Sequence, residues 1–335
     1  MEQPHSGRRP FAGSPSQPLP APVLRARKEG IILKQIHWQD RFKIGVEIVD
    51  QAHRKLFTIV EKITELYVEQ HQSKFACVEG IKYFKAYALK HFAEEEAYMR
   101  ETGYPGYLAH KRLHDRMRRE TLPSLERELY ATDFSTEAVQ RFIGVCTGWL
   151  TGHIMIEDRA ITGMASSEVP SLKPGDEMSV IRTVIVYPLQ EMFGRGIRFI
   201  GKYTPDDMIR DAMYYELTYR VPQGTGLRFV LVIGEQLLLH AAGLMFGTEF
   251  YAMNDMACFA IREIAQSLIQ RAAACFEQDS GAYQLERDRF LDAGEYHQMF
   301  QEHAPQYGLL FAAEQECFAL CVDQLSPQGQ TGPIS

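Results

Sequence analysis

The chain has 335 residues, 45% of them hydrophobic, which is enough for two domains, because single cores rarely grow beyond ~250–300 residues. Its net charge of −7 argues against nucleic acid and anionic membranes as partners, since both attract clustered lysine and arginine. No apolar run reaches the ~18–20 residues that span a bilayer and the six cysteines form no CxxC pair, so we expect a soluble, cytoplasmic protein without a zinc ribbon.

The chain begins with a stretch that shows no periodic apolar pattern. Residues 1–30 include SPSQPLPAPV and are rich in proline, serine and glycine, which is typical of a disordered tail. We expect the same of residues 326–335 at the other end. The segment SSEVPSLKPGD at 166–176 has two prolines and is typical of a linker, so we expect a first domain over 31–165 and a second over 177–325.

Apolar residues of the first domain recur with the period of a helix. Four such stripes predict four helices, and the connections TGYPG and DFST favour an antiparallel, up-down four-helix bundle. Pro123 is expected to end or kink the third helix. The stripes are His53, Leu56, Phe57, Val60 and Tyr67; Phe84, Tyr87, Ala88, His91, Glu95 and Met99; His110, His114 and Met117; and Phe142, Cys146, Trp149, Leu150 and His153.

Every one of these stripes contains a histidine. A single histidine on an apolar face is usually an ordinary core residue, but four stripes that agree need another explanation. Burying imidazoles and neighbouring carboxylates is costly unless each group has a partner, and a metal ion is such a partner. His91 and Glu95 lie four residues apart and share a helix face, so Glu95 is a candidate ligand, whereas Glu94 and Glu96 are expected in solvent.

The motifs HFAEE, HKRLH and HIMIED, preceded by Trp38 and IGVEIVDQAH, resemble the hemerythrin family over residues 37–161. The resemblance implies a centre of two non-haem iron ions. It implies that His110, His114 and His153 hold one iron, that His53 and His91 hold the other and leave a position open for O2, and that Glu95 and Asp158 bridge the pair. A ferritin-like oxidase would instead show Glu-x-x-His repeats, which this sequence lacks, so reversible binding or sensing is favoured over substrate oxidation.

The last ligand is open to two assignments. Helix geometry selects Glu157, four residues after His153, whereas the family spacing selects Asp158, five residues after it. We follow the family and keep Glu157 as the alternative. Trp149 and Leu150 precede His153 by about one turn and are expected to line the O2 pocket, although a plain core role fits them equally well.

Beyond the linker the pattern changes to aromatic and β-branched runs. YYELTYRV and LRFVLVI, joined by PQGTG, predict a hairpin, and YGLLFAAEQECFALCVDQL predicts another. QLLLHAAGLMF and residues 253–277 predict helices, whereas RTVIVYP is either a strand or a helix that Pro188 interrupts. The second domain is therefore expected to be an α+β domain with an antiparallel sheet.

The long helix of this domain carries a polar face opposite its apolar stripe. Glu263, Gln266, Ser267 and Gln270 form that face and are expected in solvent. The order of FVLVIG, a helix, and a long helix with an outward Glu263 and Gln266 resembles the CheX-like chemotaxis phosphatases over 177–325. The resemblance implies a homodimer, a phosphorylated CheY-like response regulator as partner, Glu263 on a lysine of that regulator, and an amide that orients water. The family has asparagine where this chain has Gln266, which leaves phosphatase activity open.

These observations predict a cytoplasmic, O2- or redox-sensing protein of bacterial signal transduction and chemotaxis. Binding of O2, or of NO, at the two non-haem iron ions would regulate a domain that binds or dephosphorylates a response regulator. Two alternatives remain at this stage. One is an interaction protein that only docks a regulator, and the other is an O2 carrier or iron store with a degenerate second domain.

Overall fold

The computed structural model describes residues 37–70, 74–164, 177–194, 196–205, 207, 209–220, 226–274, 283–301, 304–313 and 316–325. The predicted tails at 1–30 and 326–335 and the predicted linker at 166–176 lie outside the described residues. No helix formed by the described part of the chain is both long and apolar enough to cross a membrane.

The N-terminal half is a bundle of long helices, each of which buries one apolar stripe. Its helices are α1 (Glu47–Gln70), α2 (Lys74–Glu101), α3 (Tyr107–Arg116), α4 (Leu122–Ala131) and α5 (Thr136–His153). The π turn Met117–Thr121 joins α3 to α4, so these two form one leg of the bundle. Helix α1 packs on α2 and α5, and the α3–α4 leg packs on both of these as well. The predicted four-helix bundle is confirmed.

A tight connection with a side-chain cap starts the fourth leg of the bundle. Asp133 and Phe134 adopt positive φ angles of 53° and 60°, which reverse the chain after α4. The side chain of Ser135 then accepts a hydrogen bond from the backbone N–H of Ala138 at 3.2 Å. This is the N-cap that the DFST segment predicted, and it satisfies one of the unpaired N–H groups at the start of α5.

Pro123 does not end the third leg of the bundle. It lies in the first turn of α4, directly after the π turn Met117–Thr121, where the N–H of Leu122 bonds to the carbonyl of Met117 five residues earlier. A proline ring crowds the carbonyl four residues before it and donates no hydrogen bond. The wider turn accommodates both effects, so the helix continues past the proline.

The C-terminal half is an α+β domain. In chain order its elements are α6 (Glu177–Phe193), β1 (Ile197–Lys202), β2 (Ala212–Arg220), β3 (Gly226–Gly234), α7 (Glu235–Phe246), α8 (Asp255–Ala274), β4 (Gln284–Leu291), α9 (Ala293–Met299), β5 (Tyr307–Ala313) and β6 (Glu316–Leu325). The segment RTVIVYP is helical, because α6 continues through Pro188. Both predicted hairpins are present as the antiparallel pairs β2–β3 and β5–β6, whereas β1, β4 and α9 were not predicted.

The six strands form one antiparallel sheet in the order β1-β5-β6-β3-β2-β4. Helices α6, α7 and α8 cover one face of this sheet with a large apolar core. Helix α9 covers part of the other face through a smaller cluster that includes Tyr203, Tyr296 and Phe300. The predicted class, an all-α bundle followed by an antiparallel α+β domain, is therefore correct.

The two halves meet where α5 lies against α8. Gly144, Gly148 and Gly152 face this helix, and a β-carbon on Gly144 or Gly148 would lie 2.3 Å from the carbonyl oxygen of Met256 or 2.4 Å from that of Ala260. The backbones of the two helices are therefore in direct contact. We call this contact the α5–α8 seam, and it makes one continuous core of the two domains.

Candidate metal centre

Seven ionisable side chains converge at the centre of the bundle. Each leg contributes at least one of them, and every one is 5% exposed or less. They are His53 from α1, His91 and Glu95 from α2, His110 and His114 from α3, His153 from the end of α5, and Asp158 from the π turn that follows. These are the residues that the family resemblance implied as ligands.

The imidazoles form two groups with their Nε2 atoms pointing at one another. In the first group, Nε2 of His114 lies 3.3 Å from that of His110 and 2.9 Å from that of His153. In the second group, the Nε2 atoms of His53 and His91 are 3.1 Å apart. Three donors therefore gather at one point and two at another.

The two carboxylates lie between these groups. Oδ1 of Asp158 is 3.3 Å from Nε2 of His110 and 3.0 Å from Nε2 of His153, and its Oδ2 is 3.2 Å from Nε2 of His53. Oε2 of Glu95 is 3.4 Å from Nε2 of His114. The same oxygen is 3.5 Å from Nε2 of His91. Each carboxylate thus reaches both groups of imidazoles, which is the arrangement that bridging ligands need.

The spacing of these atoms fits metal ions. Two donor atoms bound at right angles to one ion, at bond lengths of ~2.1 Å, lie ~3.0 Å apart. The contacts within the two histidine groups, between 2.9 and 3.3 Å, agree with that value. None of the carboxylate oxygens of Glu95 and Asp158 receives a hydrogen bond of good geometry, although all four are buried. Buried carboxylates without donors need a cation, so the residues present fit the two iron ions that the resemblance implied.

The electrostatics of the cluster favour the ligand protonation state for His91, His110 and Asp158, but not for Glu95. Burial, followed by the neighbouring imidazoles, lowers the pKa of His91 and His110 well below the usual range, so both are neutral. Burial opposes ionisation of Asp158, but His153 and His53 outweigh it and hold the pKa of this carboxyl well below normal. Burial and then Asp158 raise the pKa of Glu95. A cation between the two carboxylates would remove that repulsion.

The π turn after α5 explains which acidic residue joins the cluster. In a π turn the chain makes hydrogen bonds five residues apart, so the residue at i+5, and not the one at i+4, returns to the face of residue i. Asp158 is the i+5 residue of His153 and lies in the cluster. Glu157 instead points to α8, where its Oε1 is 2.9 Å from Nη1 of Arg271.

Glu96 was expected in solvent, and this expectation is wrong. Its side chain is buried, and its Oε1 lies 3.2 Å from Nδ1 of His114 and also accepts a hydrogen bond from Arg118. A proton on Nδ1 leaves Nε2 of His114 free to bind a metal ion, so Glu96 orients this ring. No local pattern predicts this burial, because the contact depends on how α2 faces α3. Glu94, by contrast, is partly exposed and pairs with Lys90 at 3.6 Å.

Aromatic rings stack on two of the histidines. Trp149 stacks on His153 with ring centroids 4.2 Å apart, and Phe92 stacks on His114 at 4.3 Å. Trp149 therefore lies on the side of the three-histidine group, while Leu150 is buried in the bundle core. Sequence reasoning did not single out Phe92. The pocket-lining role of Trp149 and Leu150 stays a prediction.

The polar face of α8 is not in solvent, contrary to expectation. Glu263 and Gln266 are partly buried and line a cavity of about 100 Å³ between α8 and the bundle. Trp149 and His153 line the same cavity from the opposite side. Glu263 and Gln266, the residues predicted to meet a regulator, therefore line the same cavity as His153, a predicted metal ligand.

The amide of Gln266 is already engaged within the domain. Its Nε2 donates to the hydroxyl of Tyr215 at 3.2 Å and to Oδ2 of Asp288 at 3.1 Å. Arg262 and Tyr215 also donate to Asp288, so this carboxylate is the centre of a network. Both amide hydrogens of Gln266 have acceptors, so this side chain can contact a water molecule only through its carbonyl oxygen.

Glu263 makes the stability of the chain depend on pH. Burial raises the pKa of its carboxyl to about 7 from the usual 4.5, and nearby Arg116 and Arg262 only partly offset this. Because the folded chain holds this proton more tightly than the unfolded chain, stability falls as the pH rises from ~4.5 to ~7. We expect Glu263→Gln to raise the free energy of unfolding by ~1–2 kcal/mol at pH 8 and to change it little at pH 4.5, after allowance for partial exposure.

Urea unfolding of both chains at the two pH values measures this difference. The exposed Glu101 provides a control, since Glu101→Gln should change stability equally little at both. Equal effects of Glu263→Gln at pH 4.5 and pH 8 would show that the Glu263 carboxyl titrates normally.

Comparison with known proteins agrees with the geometry of the bundle. The model of the hemerythrin HHE cation binding domain matches residues 44–165. A bacteriohemerythrin of Stenotrophomonas maltophilia is 36% identical over 124 residues, which are 37% of this chain and 76% of that protein. A bacteriohemerythrin of Clostridium acetobutylicum is 31% identical over 128 residues, 36% of this chain and 95% of that protein.

The second half is similar to solved structures of chemotaxis proteins. The chemotaxis protein CheX from Vibrio vulnificus has 11% sequence identity to this chain and a TM-score of 0.35. The match covers 46% of this chain and all of that one. At that TM-score the likeness establishes nothing further about the second domain.

Proposed function

The chain belongs to the hemerythrin family, and from this premise we propose that its bundle holds two non-haem iron ions and binds O2 as a sensor. We propose further that its C-terminal domain engages a phosphorylated CheY-like response regulator. The observation that carries the first part is the convergence of five buried imidazoles and two buried carboxylates that receive no hydrogen bond of good geometry. The second part rests on the sequence resemblance to CheX-like proteins.

Each ligand has a role in this proposal. His110, His114 and His153 would hold one ion, and His53 and His91 would hold the other. Glu95 and Asp158 would contribute to both sites, which is supported by the reach of both carboxylates into both histidine groups. When bound, a ferrous pair supplies the two electrons that O2 takes up and returns.

The surrounding residues exclude water and fix the ligands. Glu96 orients the ring of His114, and Phe92 stacks on that ring. Trp149 stacks on His153 where both border the cavity, so it covers one face of this ring there. Neutral imidazoles add no charge, while the two carboxylates balance part of the charge of the ions. Exclusion of water from a site of this kind favours reversible binding of O2 over loss of the electrons to solvent.

For the second domain, the contacts of Gln266 support docking of a regulator over catalytic turnover. The phosphatase role that the resemblance implies needs a free amide to place water, and a misplacement of ~1 Å can cost ~100-fold in rate. Here the amide donates to Tyr215 and Asp288. We therefore propose that Glu263 and Gln266 belong to a docking surface. A homodimer through the sheets stays a prediction.

A titration with O2 tests the proposed sensor. We expect the full chain, loaded with iron and reduced without air, to retain two iron ions and to gain a visible absorption band that O2 induces and its removal abolishes. His110→Ala should lose the band, because it removes a ligand. His240→Ala is the matched control, since His240 is exposed on α7, and it should keep the band.

The result that would contradict the sensor proposal is full iron loading with no spectral response to O2, or failure to retain iron at all.

Binding of a beryllofluoride-activated CheY-like regulator by the same samples, with and without O2, tests the second half of the proposal. Equal binding of the regulator and of an unrelated acidic protein would overturn that half.

A further inference from the structure

We propose that the bundle covers the Glu263 and Gln266 surface, and that the α5–α8 seam transmits the state of the metal centre to it by direct contact instead of through the linker. This inference rests on the proposed function, because it concerns regulation of the surface assigned there to the regulator. It is carried by the contacts between α5, the π turn after it, and α8.

The N-terminal half of α8 is fixed to the bundle. A β-carbon on Gly144 would lie 2.3 Å from the carbonyl oxygen of Met256, and one on Gly148 would lie 2.6 Å from Cα of Ala260. Contacts this close leave no room for sliding, since packed helices normally keep their axes 8–10 Å apart with side chains between them. This end of the seam therefore acts as a fixed point.

The C-terminal half of α8 is held differently. The polar face of α8 borders the cavity of about 100 Å³ from Glu263 to Gln270, and polar contacts link this part of the helix to the bundle. Nη1 of Arg271 lies 2.9 Å from Oε1 of Glu157, and Nη1 of Arg116 lies 3.4 Å from Oε1 of Gln270. The contact of Arg116 with Gln270 is exposed and is worth ~1 kcal/mol or less, so the Glu157–Arg271 pair, whose side chains are only 17% and 14% exposed, is the stronger link between this end and the bundle.

The surface proposed for the regulator lies along this cavity. Glu263 and Gln266 line the cavity from α8, and Trp149 lines it from the bundle. A protein that contacts both residues along α8 would meet the bundle first. Docking therefore requires the C-terminal half of α8 to move away from the bundle, and the bundle competes with the regulator for this surface.

The metal centre is connected to the same end of the seam. His153 and Asp158, both proposed ligands, bracket the π turn, and Glu157 within that turn pairs with Arg271 of α8. A change in the positions of His153 and Asp158 around the ions would move this turn. The Glu157–Arg271 pair would then transmit the movement to α8. Trp149 gives a second connection, because it stacks on His153 and borders the cavity. A π turn is a common place for such movement.

Cysteine labelling of the full chain tests this inference. Ser267 lines the cavity, so a Ser267→Cys chain reports how open the seam is. We would measure its rate of maleimide labelling by mass spectrometry, which separates this site from the native cysteines, in iron-free, reduced, and reduced plus O2 samples. Ala131→Cys, at an exposed position at the end of α4, is the control for reagent reactivity.

We expect the rate at position 267 to differ at least tenfold between two of these states while the rate at position 131 stays constant. Adding Arg271→Ala should abolish the difference and leave the O2-dependent absorption band intact. Rates at position 267 that agree within twofold in all states would overturn the inference, as would rates that match the exposed control throughout. The absorption band is recorded on the same samples, so a failed seam and a failed O2 site give different results.

Discussion

Asp158→Ala is expected to lower the iron content of the chain from two ions to at most one, whereas Glu157→Ala should keep both. The side chain of Asp158 reaches His153 with Oδ1 at 3.0 Å and His53 with Oδ2 at 3.2 Å, so its removal takes a donor from both groups of ligands. Loss of a bridging ligand weakens metal binding more than loss of a group that only orients one. Iron per chain, measured by mass spectrometry after gel filtration, checks the prediction.

Glu157→Ala is a matched control because it removes a carboxylate from the adjacent position of the same turn. In a regular α-helix Glu157 would share the face of His153, and the two variants would exchange their effects. The π turn places Glu157 beside Arg271 instead. Retention of iron by Asp158→Ala and its loss from Glu157→Ala would contradict the observed turn. Thermal melting of both variants establishes that they remain folded.

The bundle and the convergence of its histidines were predictable because each leg buries one stripe of helical period. The histidines lie on those stripes, so His91 and Glu95 could be paired from spacing alone. The assignment of Asp158 was not available from spacing, because periodicity assumes 3.6 residues per turn and the π turn departs from it. The family resemblance supplied what regular geometry could not.

In the second domain, the predicted elements are those with strong local patterns. Strands β2, β3, β5 and β6 are rich in apolar residues and pair as hairpins, and α7 and α8 are long. Strand β4 is QLERDRFL, an edge strand with four charged residues, so it lacks the alternation that identifies a strand. Helix α9 has only seven residues and depends on the capping box of Asp292 and Glu295.

The seam between the halves was missed, although the sequence contains a signal for it. A bundle helix normally has one apolar face, but α5 is FIGVCTGWLTGH over residues 142–153, apolar or small on all sides. A helix of that kind is buried all round and needs a second neighbour. The polar face of α8 instead predicted a helix with one side in solvent, since such faces are usually solvated.

Gly148→Ala tests that seam, and we expect it to lower the free energy of unfolding by ~3 kcal/mol or more. The added β-carbon would lie 2.4 Å from the carbonyl oxygen of Ala260 and 2.6 Å from its Cα, distances that real β-carbons do not reach. These are backbone atoms, so no side-chain rotation relieves the contact and the two helices must separate. Urea unfolding of the full chain measures the loss.

Gly152→Ala distinguishes this clash from a general effect of changing glycine in α5. Its β-carbon would lie 3.5 Å from Cγ1 of Ile264, which is ordinary van der Waals contact. Since alanine is favoured over glycine inside a helix by up to ~1 kcal/mol, this variant should be neutral or slightly more stable. The same helix, the same substitution and one turn of separation should therefore give opposite signs. Equal effects at the two positions would mean that α5 and α8 are not in backbone contact in solution, and the direct route from the metal centre to the surface of α8 would be lost with it.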